Sequence, residues 1–270
     1  MKALLIGYGQ IGRAVYEVFS GTHAIDIYDT AFKEKPEGEF DILLVAIPYG
    51  DKFVDTVNQY RRDYAVKATI IFSTVAIGTT RQILGAVHSP VEGKHPQLSD
   101  SIRMMPRWVG GYNKTVERFF NDAGFKPIFC EKPEITEFLK LRSTSRYGIN
   151  IEFARYEKSV CDDLGMDYEY IRKFDQDYNE LYRELGMPQY QRYILFPPVG
   201  NCGGHCVGPN ARLLDAQYPS WFLKEIYRDK ISKKADAALA IATLLEVELY
   251  TPKEAIELLE SLKQNIKEGA

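Results

Sequence analysis

A glycine-spaced turn between an apolar strand and a helix, followed by a second strand that ends in a carboxylate, constrains this chain more than any other feature. Residues 1–29 read MKALLIGYGQIGRAVYEVFSGTHAIDIYD. Lys2 to Ile6 is an apolar run of strand length, Gly7-Tyr8-Gly9-Gln10-Ile11-Gly12 is the turn, and Ile11 to Phe19 has helical periodicity. In a turn of this spacing the first glycine permits the tight bend. The second lets the backbone approach a pyrophosphate at the positive end of the helix, and the third lets helix and strand pack closely. His23 to Asp29 alternates in apolar character and closes on Asp29, placed to accept hydrogen bonds from an adenosine ribose. The pattern predicts a dinucleotide site built from Gly7, Tyr8, Gly9, Gln10, Ile11, Gly12 and Asp29. It favours NAD over NADP, because a 2′-phosphate would face the Asp29 charge and no arginine follows immediately.

The rest of the first half continues the alternation of strand and helix. Asp41 to Ile47 is an unbroken apolar run of the kind a strand buried on both faces requires, and Pro48 ends it. A helix from about Asp51 to Tyr64, a strand Ala68 to Phe72, and short strands at Trp108 to Gly111 and Lys126 to Cys130 complete an α/β reading. The expected architecture is an N-terminal Rossmann-type doubly wound parallel sheet over residues 1–131, followed by a mainly helical substrate and dimerisation domain over 132–270. Ligands of such sheets sit at the carboxyl ends of the strands, so Pro48, Tyr49, Ser73 and Thr74 are expected on the nicotinamide side. In the second half, long helices are predicted from Glu134 to a stop at Gly165 and from Asp167 to Leu185. A Pro/Gly loop is expected from Phe196 to Pro209, then two helices from about Ser232 and from Thr251.

Composition narrows the partners. A net charge of −3 argues against a nucleic-acid surface or a polybasic membrane face. No apolar stretch reaches spanning length and no leader is visible, so a cytoplasmic protein is expected, with its four cysteines as free thiols. His88, His95, Cys202, His205 and Cys206 could in principle converge near one cleft, but Cys-x-x-His-Cys places neighbours too close to share a tetrahedral site easily, and no metal is expected. His88 and His95 read as loop residues with ordinary hydrogen bonds or as substrate contacts. Arg103, Arg107 and Arg146 read as solvated charges, with contact to an anionic substrate group as the alternative.

Three further segments read together: STVAIGTT at 73–80, EFLKLRST at 137–144 and GNCGGHCVGPN at 200–210, with RWVGG at 107–111 between the first two. On these residues the chain resembles the UDP-glucose/GDP-mannose (nucleotide-sugar) dehydrogenase family, in order through roughly residues 1–214, as a shortened form without the C-terminal UDP-binding domain. The resemblance implies NAD-dependent oxidation of an alcohol by hydride transfer to NAD, with Lys140 as acid/base or oxyanion stabiliser and Cys206 as thiol nucleophile. Thr74, Thr144 and Asn210 accompany them, and a homodimer built on the helix near Glu134 is implied. A lysine ammonium can hold a developing alkoxide, and a thiolate can trap an aldehyde. Three positions depart from the family: Val91 stands where it has a catalytic glutamate, Thr144 where it has asparagine, and Asn210 where it has aspartate. A second hydride transfer with thioester hydrolysis is therefore open. Two alternatives accompany this reading: a β-hydroxyacid dehydrogenase-like two-electron oxidation without a covalent step, and a non-catalytic NAD-binding regulator.

Overall fold

The computed structural model describes residues 1–32, 34–93, 96–198, 202 and 204–228. The predicted helices from Ser232 and Thr251, and His95, lie outside the described residues. Two compact units are distinguished, Met1–Ser143 with Ala216–Tyr218, and Thr144–Asp215 with the described residues from Pro219 on.

The first unit is built on a sheet whose order is β2-β1-β3-β4-β5-β6-β7. Its strands are β1 (Lys2–Ile6), β2 (Ala24–Tyr28), β3 (Ile42–Val45), β4 (Ala68–Ile71), β5 (Ala86–His88), β6 (Trp108–Gly110) and β7 (Ile128–Cys130). All adjacent pairs are parallel except β5 and β6, which run antiparallel through His88 and Gly110. Helices α1 (Gln10–Phe19), α2 (Phe53–Asp63), α3 (Leu98–Met104) and α4 (Lys114–Asp122) connect the strands. The expected doubly wound sheet is present, with one reversal near its far edge.

Strand pleating explains the apolar runs. Ala3 and Leu5 of β1, Ile42 and Leu44 of β3, and Ala68 and Ile70 of β4 face one core, with Val15 and Phe19 of α1 and Phe119 and Phe120 of α4. Leu4, Ile6, Leu43, Val45 and Ile71 point to the other face and meet Phe53 and Val57 of α2. Both faces are therefore covered, which is why these strands lack polar alternation. Phe19 lies with its ring centroid 5.0 Å from that of Phe119 and 5.8 Å from that of Phe120, anchoring the far end of α1.

Sheet order locates the ligand edge. From β1 the chain goes outward to β2 on one side and returns to β3 on the other, so connections diverge between β1 and β3. That split, at the carboxyl ends of the strands, is the crevice where open α/β sheets bind ligands.

Helices dominate beyond the sheet: α5 (Pro133–Asp163), α6 (Glu169–Glu184), α7 (Gly204–Gln217) and α8 (Trp221–Tyr227). The loop expected from Phe196 to Pro209 is corrected here, because α7 already begins at Gly204 and contains Pro209. Glycine and proline dominate the local composition, but Val207, Asn210, Ala211 and Leu214 form a buried stripe at helical spacing that outweighs them. Proline in the second turn loses the bond to the carbonyl of residue 205 and crowds that carbonyl with its ring, a cost of about 3 kcal/mol that the buried stripe offsets. Close packing also fixes Gly148 of α5, where a Cβ would lie 2.7 Å from both Val207 and Ile226 side chains.

Candidate active site

The glycine turn is tightly specified at two of its three glycines. Gly7 has φ of +89°, and a Cβ there would stand 2.4 Å from the carbonyl oxygen of Ala46 at the end of β3. At Gly12 a Cβ would lie 2.0 Å from the Gly7 carbonyl oxygen. Gly9 differs: it caps α1, and nothing lies within 4 Å of the Cβ position. The open side of the turn is thus at the helix N-terminus, where free N–H groups and the helix dipole favour an anion. Tyr8 and Ile11 are half-buried beside the turn, and Gln10 is exposed at the start of the helix.

Asp29 follows β2 and braces this turn. Its carboxylate accepts from the Tyr8 amide at 2.7 Å and from the Ala31 amide at 3.0 Å. These bonds, Ala31's first and Tyr8's second, hold the carboxyl below its ordinary range, so it is an anion across the working pH range. Two of about four acceptor sites are used, leaving acceptor capacity.

Four predicted residues follow β3 and β4. Pro48 and Tyr49 are exposed beyond β3, Tyr49 with its ring centroid 5.6 Å from that of Phe53. Ser73 is buried and spends its hydroxyl on the Ile47 carbonyl at 2.7 Å, joining the ends of β3 and β4, while Thr74 is half-buried next to it.

His88 requires correction: it is a buried residue of β5 rather than a loop residue, and it makes the ordinary hydrogen bonds expected of it. Its Nε2 lies 3.1 Å from the Ser73 carbonyl, which can only accept, so the proton sits on Nε2, and Nδ1 lies 2.9 Å from the Thr136 hydroxyl, which is also within reach of the Pro133 and His88 carbonyls. Burial is the main reason its pKa is pushed down to about 3, with the Lys140 charge adding and the Ser73 bond opposing. The ring is a neutral strut between the end of β4 and the head of α5.

Glu137 makes the second connection. Although fully buried, it accepts from the Gly78 amide at 2.5 Å and the Thr80 amide at 2.8 Å. Burial raises its pKa, partly offset by bonds from the Thr80 side chain, the Thr80 amide and the Gly78 amide. Gln217 holds the same loop through two 2.9 Å bonds to the Ile77 backbone. The sequence displays STVAIGTT and Glu-x-x-Lys as separate signals. The structure shows that one carboxylate ties them together.

Lys140, one turn beyond Glu137, is 12% exposed at its side chain. Its Nζ donates to the Val91 carbonyl at 2.6 Å and lies 3.4 Å from the Glu92 carboxylate, which also accepts from the Ser143 hydroxyl at 3.3 Å. The chain thus presents the Glu92 carboxylate and the Val91 carbonyl together to the lysine. Next to this pair is a cleft of about 460 Å³. Arg107 borders it and is only 2% exposed, which corrects its reading as a solvated charge. Arg103 stays at the surface, near Glu17 and Asp100, and Arg146 is exposed.

The remaining predicted residues belong to the second unit. Asn210 of α7 is buried and donates to the half-buried Thr144 hydroxyl at 3.1 Å. Cys206 is exposed in the first turn of α7, whereas Cys202 is buried with its sulfur 3.8 Å from the Gly148 carbonyl. Among the described residues no cluster of three or more His, Cys, Asp or Glu side chains has a metal-holding arrangement. Nor is any described helix long and apolar enough to cross a membrane.

Comparison with known proteins places the fold. No protein-family model matches the sequence, and no curated protein matches it. Solved structures do. UDP-D-ManNAc dehydrogenase from Pyrococcus horikoshii matches with a TM-score of 0.71 at 14% identity, over 92% of this chain and 72% of that one. A UDP-glucose dehydrogenase from Pyrobaculum islandicum gives 0.63 at 14% identity, over 92% and 71%. The 3-hydroxyisobutyrate dehydrogenase of Mycobacterium tuberculosis gives 0.54 at 14% identity, over 97% and 93%. The chain therefore has the fold of these dehydrogenases, the nucleotide-sugar enzymes among them.

Proposed function

We propose that this protein is an NAD-dependent dehydrogenase that oxidises an alcohol of a nucleotide sugar or related polar metabolite. The observation that carries the reading is the Lys140–Glu92 pair at the head of α5, one turn from the carboxylate that grips the loop leaving β4. This is a positioned ammonium with a counter-ion, in the unit that also bears the glycine turn.

The turn fits the cofactor. Gly7 and Gly12 admit no side chain, the space beside Gly9 is open, and a permanent anion at Asp29 favours a free ribose 2′-hydroxyl over a phosphate. When bound, NAD supplies the hydride acceptor. Gly9, Gln10 and Ile11 would hold its pyrophosphate and Asp29 its ribose, with Pro48, Tyr49, Ser73 and Thr74 bordering the nicotinamide end. Lys140 Nζ would stabilise the alkoxide oxygen left when the carbinol hydroxyl releases its proton to solvent and the carbon gives up its hydride, and Glu92 aims that lysine. Cys206, exposed on α7, is the candidate thiol for trapping the aldehyde, with Thr144 and Asn210 as its polar companions.

One observation favours the two-electron alternative. Asn210 donates its amide to Thr144 and supplies no carboxylate there to activate water, which suits a reaction that ends after one hydride. The discriminating experiment is the stoichiometry of reduced nicotinamide formed per alcohol by the wild type and by Cys206→Ser. Two per alcohol, falling on substitution, supports the covalent route. One per alcohol, unchanged, supports the simpler oxidation. NAD binding with no turnover on any alcohol would leave a regulator. A cytoplasmic homodimer completes the proposal; its dimer is supported by the exposed Phe153 and Tyr156 of α5 and Leu164 just beyond it, and is checked by sedimentation equilibrium.

A further inference from the structure

Arg107 is buried, yet its Nη1 has no hydrogen-bond partner among the described residues, and its Nε reaches only the Met105 carbonyl at 3.4 Å. A guanidinium does not shed its proton in a protein, and burying it without an anion is strongly unfavourable. Burial indeed pushes its pKa down, with the Glu92 charge opposing. Arg107 borders the 460 Å³ cleft together with Glu92, Trp108, Thr136, Arg142 and Ser143. That volume lies in the range of small-molecule sites. Arg107, Arg142 and the adjacent Lys140 set three positive charges against Glu92, the one carboxylate among the described residues lining the cleft. Glu92 is already engaged by Lys140 and by the Ser143 hydroxyl. The cleft therefore carries unmatched positive charge at a buried donor.

We infer that this cleft binds an oxyanion group of the substrate, a carboxylate or a phosphate, with the Arg107 guanidinium as its donor and Arg142 at its rim. The inference rests on the dehydrogenase reading for the identity of the ligand as a substrate, whereas the anion site is testable without turnover. It narrows the alcohol to one bearing a negative group and explains why a charge-bearing side chain is buried beside the Lys140–Glu92 pair. Bidentate recognition of carboxylate or phosphate is what a guanidinium does best.

Trp108 borders the cleft, and the chain has only one other tryptophan, Trp221. In a Trp221→Phe background, Trp108 fluorescence is titrated at constant ionic strength with inorganic phosphate, with 3-hydroxybutyrate and with the neutral methyl ester of that acid. A saturable response to phosphate alone assigns a phosphate site, to the hydroxy acid alone a carboxylate site, and to both a general oxyanion site. The neutral ester stays silent. Arg107→Met weakens binding at least tenfold, and Glu92→Gln, which removes the competing carboxylate, tightens it three- to tenfold. If Arg107→Met does not fold, Arg142→Ala must weaken binding severalfold and Glu92→Gln must still tighten it. Silence toward both anions, an equal response to the ester, or no effect of these substitutions overturns the site. A neutral alcohol turned over while the anion titrations stay silent leaves the dehydrogenase standing and removes the anion site. Saturable anion binding with no reduced nicotinamide from any alcohol does the reverse.

Discussion

Replacing Glu137 tests the link between the β4 loop and the head of α5. In Glu137→Ala the Gly78 and Thr80 amides lose their acceptors inside the protein. Each buried donor left unpaired costs about 1–3 kcal/mol, hence roughly 2–6 kcal/mol for the pair. Removing a carboxylate whose charge burial disfavours offsets part of that, so the net loss is about 2–4 kcal/mol. Glu137→Gln keeps one acceptor and turns an NH2 toward the other amide, for about 1–2 kcal/mol. The assay is urea unfolding followed by Trp108 fluorescence in the Trp221→Phe background, which isolates the unit containing the sheet. The pH dependence adds a sign. The folded pKa of Glu137 is raised, so its stabilising contribution is complete below the ordinary carboxyl range and is lost as pH rises through the folded value. Glutamine does not titrate. The gap between wild type and Glu137→Gln is therefore widest in acid and narrows as pH rises. A loss below about 0.5 kcal/mol for the alanine variant, or a gap that widens with pH, would refute the reasoning.

Three other outcomes follow from the geometry. Gly12→Ala forces a Cβ against the Gly7 carbonyl and lowers the melting temperature, whereas Gly9→Ala meets no protein atom, folds like wild type and weakens NAD binding at least tenfold; melts and NAD titrations separate the two. His88 holds its proton only below about 3, whereas the unfolded imidazole protonates near 6.5, so its contribution is present above pH 6.5 and is lost as pH falls toward 3. Wild type then loses about 2 kcal/mol between pH 7 and pH 5 through this residue, and urea titrations of His88→Gln show that part of the pH dependence missing. Cys206 is exposed, so Cys206→Ser shifts the melting temperature by less than about 1 °C, and any change in nicotinamide stoichiometry reports chemistry rather than unfolding.

The sheet was legible because its signals are local. Apolar runs such as Ile42–Val45 need no partner to be recognised, and the glycines at 7 and 12 are demanded by contacts a few residues or one strand away. What escaped depends on contacts distant in sequence. His88 looks like a loop histidine until β5 pairs with β4, and Arg107 looks solvated until Glu92 and α5 close around its cleft. The start of α7 was hidden by its glycines and proline, and the buried stripe that stabilises it becomes decisive only through tertiary packing. For the candidate site, the sequence supplied Lys140 through its spacing from Glu137. The partners that orient it are the Val91 carbonyl, 49 residues away along the chain, and the carboxylate of its neighbour Glu92.

The most direct test of the central claim is reduced-nicotinamide absorbance from wild type and Lys140→Ala, given NAD and a panel of hydroxy acids, phosphorylated alcohols and nucleotide sugars. Wild type is expected to reduce NAD with at least one of them, and Lys140→Ala to lose about 10²–10⁴ in kcat while its NAD affinity stays within about twofold of wild type. Undiminished turnover in Lys140→Ala, or a wild type that binds NAD and oxidises nothing in the panel, would contradict that claim.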